Sequence, residues 1–492
     1  MREFFAQYGY VVVGILVLAL VALSCVLYRR TRDITPPRHQ GKYRFAQPDE
    51  RIESRVTRML SRAVAIPTVH RRGDEMEPLI DLLESSYPAV HQALQREEID
   101  GNLLYRWAGR QKGLPPVLFC SHLDTVDEGP GQWTHPPYSG RVENGYVWGR
   151  GALDSKCTLI CLMESVEQLL DQGFAPERDV YLAITRDEES DGHQGAAAIA
   201  GALRERGIRL ELVLDEGDFI LKNFLGEGAN ACAVVNVAEK GVMDLALISR
   251  DKGGHAAYPG RHTGLGRLCE AVARVESAPM PRQLIPLTED YFDAIAPMMN
   301  VKYRMMIANR WLFRRPLLRG LSRNAYFRAL VTNTVSATMA HGSEAPTVLP
   351  RNSWCVLNIR PLPGTSAAEV HHHILNLVEP LGVTTKVLSQ SEPSEGDCRQ
   401  SAAFQKLCDA IHSRFGEQVI IAPCLTARTS DARHFEPICQ NVMRFTPLVI
   451  KEELKQTIHG MDERAPVAAL GAAAEFYMDF IRRTAGTPEK AE

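Results

Sequence analysis

The stretch "FCSHLDTVDEGP", residues 119–130, decides how this chain is read. An apolar run over 117–120 delivers a histidine and two acids within a few residues. That is the texture of a buried strand with polar groups at its carboxyl end. Sheets of the α/β type build their sites at that edge. Partners for His122 and Asp124 are therefore expected at the ends of other strands.

Two further strand-like runs end in acids. "DVYLAITRDEE", 179–189, releases Glu188 and Glu189, and "LELVLDEG", 210–217, releases Asp215 and Glu216. Asp154 sits in "GRGALDSK", 149–156, where glycines let backbone approach closely. Between them, "CTLICLMESVEQLLDQG" and "GAAAIAGALRERG" are long enough to be crossover helices, each closing on Gly. Strand–helix–strand alternation predicts an α/β fold with a mostly parallel sheet covered by helices.

After "DEGDF" the texture changes. "AEKGVMDLALISRDKGGHAAYPG", "TVSATMAHG" and "SWCVLNIRPLP" read as strands, and "GRLCEAVARVESAP" and "AAEVHHHILNLVEPLG" as helices. That order suits a small α+β unit, helices on one sheet face, inserted into the larger domain. With 492 residues the chain exceeds one compact core. It divides into an apolar segment at 1–30, a tether at 31–50, and a first catalytic part at 51–238. The inserted unit at 239–389, a second catalytic part at 390–482 and a tail at 483–492 follow.

Carboxylates converging at one sheet edge repel each other strongly without a cation. Imidazole with carboxylates suits zinc, manganese or cobalt, and the lack of cysteine among these residues favours an exposed, catalytic type of site. Eleven cysteines scattered without a CxxC pair argue against a disulfide framework or a cysteine zinc site. A net charge of −3 gives no global attraction to nucleic acid. His371, His372 and His373 are consecutive on an expected helix, where rings fan out by about 100° per residue and do not share a metal.

Residues 8–28 carry no charge and at helical rise span roughly 30 Å, one hydrocarbon core. Arg2 is offset by Glu3 and no A-x-A-like site follows, so a single-pass membrane anchor is preferred to a cleaved signal peptide. Arg29, Arg30, Arg32 and Arg38 then place the large domain in the cytoplasm. Residues 298–330 hold eight Lys or Arg and no acid, with Trp311, Phe313, Leu317 and Leu318. Two readings stand: an insertion packed on its own domain or a partner subunit, or a basic, apolar helix on an anionic membrane.

In their order, "SHLDTVDEG", "WGRGALDSK", "TRDEES", "VLDEG", "KGGHAAYPG" and "TIHGMDE" resemble the aminoacylase / carboxypeptidase S / glutamate carboxypeptidase family of di-zinc metallopeptidases. The resemblance covers about residues 50–480 and is nearest to the carboxypeptidase S and N-acyl-amino-acid hydrolase branch. It implies a di-zinc peptidase domain with an inserted lid and dimerisation domain. Two zinc ions are implied per subunit, with cobalt or manganese as substitutes. Asp154 would bridge them, His122 and Asp215 completing one site and Glu189 and His459 the other. Asp124 would hold the His122 tautomer, and Glu188 would be the general base. His255 would support the oxyanion, commonly across a homodimer interface, and Arg360 would grip the substrate's terminal carboxylate. "RTSDARHF", 428–435, resembles the loop lining the substrate pocket.

The sequence departs from that family pattern at Thr347, where Asn is usual, and at Asn358, where an acid is usual. Both lie in the lid. The function implied is a membrane-anchored amidohydrolase acting on a small molecule, either a short peptide or an N-acyl amino acid. A catalytically inactive binding or scaffold protein and a metal-dependent deacetylase are the alternatives; Arg360 argues against an aminopeptidase. Related eukaryotic enzymes resemble lumenal or secreted forms, which opposes the cytoplasmic placement.

Overall fold

Alternation within the apolar strands explains why they are apolar throughout. In Val117–His122, Val117 and Phe119 enter one hydrophobic core while Leu118 and Cys120 enter a second on the opposite face. Val180–Thr185 divides the same way, with Leu182 and Ile184 on the first face and Tyr181 and Ala183 on the other. A strand covered on both faces has no polar side to show.

The computed structural model of the chain describes residues 2–34, 45–70, 76–190, 192–225, 231–278 and 280–487, with side chains from Tyr10 onward. Arg38, the middle of the expected tether and the end of the tail lie outside the described residues.

Eight strands form the large sheet, in the order Gln95–Ile99, Asn102–Trp107, Val180–Thr185, Val117–His122, Leu212–Lys222, Val442–Lys451, Cys232–Glu239, Ile420–Thr426. The four from Val180–Thr185 to Val442–Lys451 run parallel. The sheet as a whole is mixed rather than mostly parallel. Gln95–Ile99 and Asn102–Trp107 join through Asp100 and Gly101, both at positive φ as a two-residue hairpin turn requires, and lie antiparallel to Val180–Thr185. Cys232–Glu239 turns back antiparallel to Leu212–Lys222.

Helices Glu50–Val64, Lys156–Asp171 and Val467–Ala485 pack together over one face, and Ala196–Glu205 covers the other. The edge strand Ile420–Thr426 is covered by the helix Pro286–Ile295, whose Leu287 and Tyr291 enter the first core. Covering an edge removes a template for unwanted strand pairing.

A second sheet of four antiparallel strands has the order Thr334–His341, Asn352–Arg360, Val242–Arg250, Val383–Ser391. Helices Gly264–Ser277 and Ala367–Val378 pack on one face of it around a separate core. Thr263 and Ser366 cap them, Ser366 in a full capping box with Glu369.

The basic stretch at 298–330 folds as helices Val301–Ala308, Arg310–Leu321 and Ala325–Val331. Met306, Ile307, Leu317, Leu318 and Leu321 join the core of the large domain, not that of the small sheet. At the N-terminus, Arg2–Asp33 is one helix, and its part Tyr10–Asp33 is long and apolar enough to cross a membrane.

Leu182 is fully buried between the central strands and their helices. Leu182→Ala should lower unfolding free energy by about 2–5 kcal/mol. Chemical denaturation followed by circular dichroism checks this: a midpoint equal to wild type would mean the site collapses without a cavity.

Candidate metal centre and active site

Strand register brings the acids to one place. His122 pairs with Thr185, so both strands end level, and Glu188 and Glu189 follow in a single 3-10 turn. His122 is buried at its strand end. Its Nδ1 lies 2.9 Å from the carbonyl oxygen of Asp124. A carbonyl only accepts, so Nδ1 carries a ring proton, and Nε2 is the ring atom left to face the acids. The Asp124 carboxylate is the more distant neighbour, 3.4 Å from Nδ1, while its other oxygen accepts the Glu189 backbone N–H at 3.1 Å. The tautomer expected from the Asp124 side chain is thus set first by the Asp124 backbone.

His122 Nε2 stands 3.3 Å from Asp154 Oδ1 and 3.5 Å from Glu216 Oε1. On the other side, His459 Nε2 stands 3.3 Å from Asp154 Oδ2 and 3.1 Å from Glu189 Oε1. Each oxygen of Asp154 therefore faces a different imidazole. The donor atoms of His122, Asp154 and Glu216 lie within 4.8 Å of one another, as do those of Asp154, Glu189 and His459. Two imidazoles and three carboxylates sharing one central acid fit a pair of divalent cations of the zinc type.

Asp215 was expected in the first group, and the structure puts Glu216 there instead. Side chains alternate along Leu212–Lys222, with Leu212 and Leu214 on one face and Val213 on the other. Asp215 falls on the Val213 face, where its Oδ2 accepts the Ala432 N–H at 2.8 Å. Glu216 falls on the opposite face, where Ser155 Oγ donates to it at 3.4 Å. The sequence marks both acids but not the strand phase that separates them.

Glu463 and Arg150 were not singled out from sequence. Arg150 Nη1 is 2.6 Å from Glu463 Oε2, and both side chains are buried. Glu463 also accepts backbone N–H groups from Gly151, Leu153 and Asp154 at 2.8–3.1 Å. Arg150 donates onward to the Gly460 carbonyl at 2.9 Å. Together they clamp the loop bearing Asp154 to the loop bearing His459. The signal was present in "WGRGALDSK" and "TIHGMDE", where an arginine and a glutamate flank the candidate ligands.

The centre opens into a pocket of about 350 Å³. Glu188, Phe219, Arg360, Arg428 and Ile458 line it beside Asp154 and His459. Arg428 approaches Asp218 at 3.8 Å, and Lys455 pairs with the same carboxylate. Arg360 Nε donates to Asn358 Oδ1 at 3.0 Å, and Asn358 Nδ2 donates to Asp244 Oδ1 at 2.8 Å. Asp244, on the neighbouring strand, thus holds the amide that orients Arg360. His255 lies elsewhere in the chain. It is exposed on the two-residue strand Gly254–His255, paired with Val348–Leu349, and borders a separate open concavity with Thr347 and Arg351.

Charge sorts these groups. Burial pushes the Glu188 carboxyl well above its ordinary range, with His122 acting in the opposite sense and Glu189 adding to the rise. Burial and Asp215 raise Glu216. Burial would raise Asp154 too, but His122 and His459 outweigh it and hold Asp154 well below the carboxylate range. Hydrogen bonds to the Asp154 and Glu189 carboxylates push His459 up to about 10.

Residues 118–483 match the sequence profile of the Peptidase family M20/M25/M40. The chain is 32% identical over 420 residues to a probable carboxypeptidase S-like 2 of Dictyostelium discoideum, covering 84% of this chain and 80% of that one. It is 30% identical over 481 residues to the N-fatty-acyl-amino acid synthase/hydrolase PM20D1 of Mus musculus, covering 94% and 95%. Its fold is similar to an M20 family metallo-carboxypeptidase, Sso-CP2 from Sulfolobus solfataricus, with a TM-score of 0.62 at 15% identity over 88% of this chain and 99% of that one. The chain belongs to the M20 family of metallopeptidases and is a hydrolase. Within it, the chain matches the carboxypeptidase S and N-acyl-amino-acid hydrolase branch.

The strand phase has a direct test. Glu216→Gln should lower zinc content measured by mass spectrometry below the wild-type count, with Asp215→Asn keeping that count at lower thermal stability. The opposite pattern would return the ligand to Asp215. Proton competition gives a second test. With both imidazoles raised, they hold protons at neutral pH that zinc binding must displace, so affinity falls as the pH is lowered. Titration calorimetry of the zinc-stripped protein in buffers of different ionisation enthalpy should register proton release.

Proposed function

We propose that this hydrolase is a membrane-anchored, two-zinc amidohydrolase that cleaves the amide joining an acyl or peptidyl group to a C-terminal amino acid. The observation that carries this reading is Asp154 shared between two histidine–carboxylate groups, in one pocket with Glu188 and Arg360. His122, Asp154 and Glu216 would hold one zinc, and Asp154, Glu189 and His459 the other. Such ions supply Lewis acidity, polarising a carbonyl and easing deprotonation of water.

The chain's own residues supply the rest. Arg360, on an inner strand of the small sheet, offers a guanidinium fork suited to the substrate's terminal carboxylate. Glu188 takes the proton of the attacking water as its oxygen bonds to the carbonyl carbon. As the C–N bond breaks, Glu188 returns that proton to the departing amine. A carboxyl pushed upward by burial is well matched to both transfers. His255 lies outside this chain's pocket, so its support of the oxyanion is proposed to come from the lid of a second copy.

Phe219 and Ile458 give the pocket apolar wall, which suits an acyl chain as well as a peptide side chain. The mouse relative's name describes action on N-fatty-acyl amino acids. Retention of the N-terminal helix is supported by its contacts with the large domain. Buried Asn309 donates to Leu27 O at 3.3 Å and to Thr31 Oγ1 at 3.4 Å, contacts that a removed signal sequence would leave unmade. Flanking Arg29, Arg30 and Arg32 favour the cytoplasmic side for the domain.

Hydrolysis by the full chain in detergent with zinc, over a panel of Gly-X dipeptides and short- and long-chain N-acyl amino acids, tests the reading. Glu188→Gln should lower kcat about 10²–10⁴-fold with zinc content unchanged. Wild-type zinc-loaded protein that turns over nothing on the panel would count against it, as would activity surviving in the variant.

A further inference from the structure

The segment Arg310–Leu321, two helical pieces meeting at a kink at Phe313, has two unlike faces. Leu317, Leu318 and Leu321 are buried in the large domain. Outward stand Trp311, 58% exposed, and Leu312, 43% exposed, together with Arg314, Arg315 and Arg319. Val301, 64% exposed, and Lys302 extend this surface along the preceding helix, and Arg323 and Arg328 extend it along the chain. Arg310 is the exception, paired with Glu289 and Asp293. Among the described residues, Lys302, Arg314, Arg315, Arg319, Arg323 and Arg328 form no ion pair within the chain, and residues 298–330 contain no acid. A soluble surface ordinarily mixes signs and keeps tryptophan covered; this one does neither.

Its position narrows what it faces. The helix Val301–Ala308 packs against the N-terminal apolar helix, and Asn309 bonds to Leu27 and Thr31. Those residues lie where the uncharged run gives way to Arg29, Arg30 and Arg32, the level at which a spanning helix leaves the hydrocarbon. We infer that the exposed face of Val301–Leu321 is a membrane-docking platform, seated on anionic lipid headgroups beside the N-terminal helix, with Trp311 and Leu312 in the interface and the arginines on the headgroup charge. The inference rests on the anchored reading above and adds that the domain lies against the bilayer rather than hanging from a free tether. Tryptophan at the headgroup level, arginine at anionic lipid and a helix whose other face is already committed to the core all agree with one occupant.

The test uses the full chain reconstituted into vesicles containing lipid brominated high on its acyl chains. One set is phosphatidylcholine alone and the other includes phosphatidylserine. Subtracting Trp311→Phe isolates the quenching of Trp311. Expected is Trp311 quenching several-fold greater with phosphatidylserine, and at least about tenfold weaker docking in Arg314→Glu/Arg315→Glu, following the salt-sensitive contribution of each basic residue. The double variant should keep its turnover of a water-soluble N-acetyl amino acid, which shows it is folded. Equal Trp311 quenching in both vesicle types, or quenching unchanged in the double variant, overturns the platform. So does shielding of Trp311 in detergent that rises with protein concentration, which would assign the face to a second copy. Vesicle flotation in high salt separates the two readings: chain that stays with the vesicles without Trp311 quenching refutes the platform alone, whereas chain that leaves them refutes the anchor.

Discussion

Everything at the candidate site depends on holding one carboxylate, that of Asp154, with each oxygen aimed at a different histidine. The two histidines come from distant parts of the chain, His122 from a central strand and His459 from a loop more than 300 residues later. No local structure brings them together. The Arg150–Glu463 pair does, because it joins the two loops inside the protein. A buried ion pair is only a weak stabiliser when its remaining hydrogen-bonding capacity is empty. Here Glu463 also takes three backbone N–H groups from the Asp154 loop. The same carboxylate that neutralises Arg150 therefore fixes the backbone from which Asp154 projects.

This placement divides the acids. Asp154 has an imidazole on either side and stays ionised; Glu188 and Glu216 are carried upward by burial and by their acidic neighbours. Groups of one chemical type whose environments push them apart can take different roles. An acid that stays ionised suits a bridge between cations. An acid with a raised pKa, beside the same pocket, suits proton transfer. The separation comes from position, since Asp154 lies between two imidazoles while Glu188 and Glu216 are buried beside other acids.

Much of this was legible in the sequence. The apolar runs before His122 and before Glu188, Glu189 marked buried strands, because only a doubly covered strand tolerates such runs, and their polar ends marked the edge. The mixed character of the sheet was not marked by burial: Cys232–Glu239 is buried throughout, like the parallel strands, yet lies antiparallel to Leu212–Lys222. The choice between Asp215 and Glu216 needed strand phase, and an acid pair inside a continuous strand gives no sign of which face each side chain takes. The clamp of Arg150 and Glu463 was hidden for another reason. Both are charged, and charged residues are normally exposed, so nothing local marked them as buried. The basic stretch at 298–330 could be resolved only by knowing which of its apolar residues reach the core.

Of the two departures from the family pattern, Thr347 sits in the turn before Val348–Leu349 and Asn358 lies in the small sheet, and the second has a physical explanation. Asn358 places an amide oxygen, not a carboxylate, 3.0 Å from Arg360 Nε. A carboxylate there would orient the guanidinium and also neutralise it. The amide orients it, and Asp244 on the paired strand holds the amide by accepting its N–H. Asp244 in turn takes the Ser389 hydroxyl at 3.0 Å from the other neighbouring strand. The arrangement fixes Arg360 through three strands of the small sheet. The Arg360 side chain reaches the wall of the pocket beside Asp154 and His459, at a centre built by the other domain.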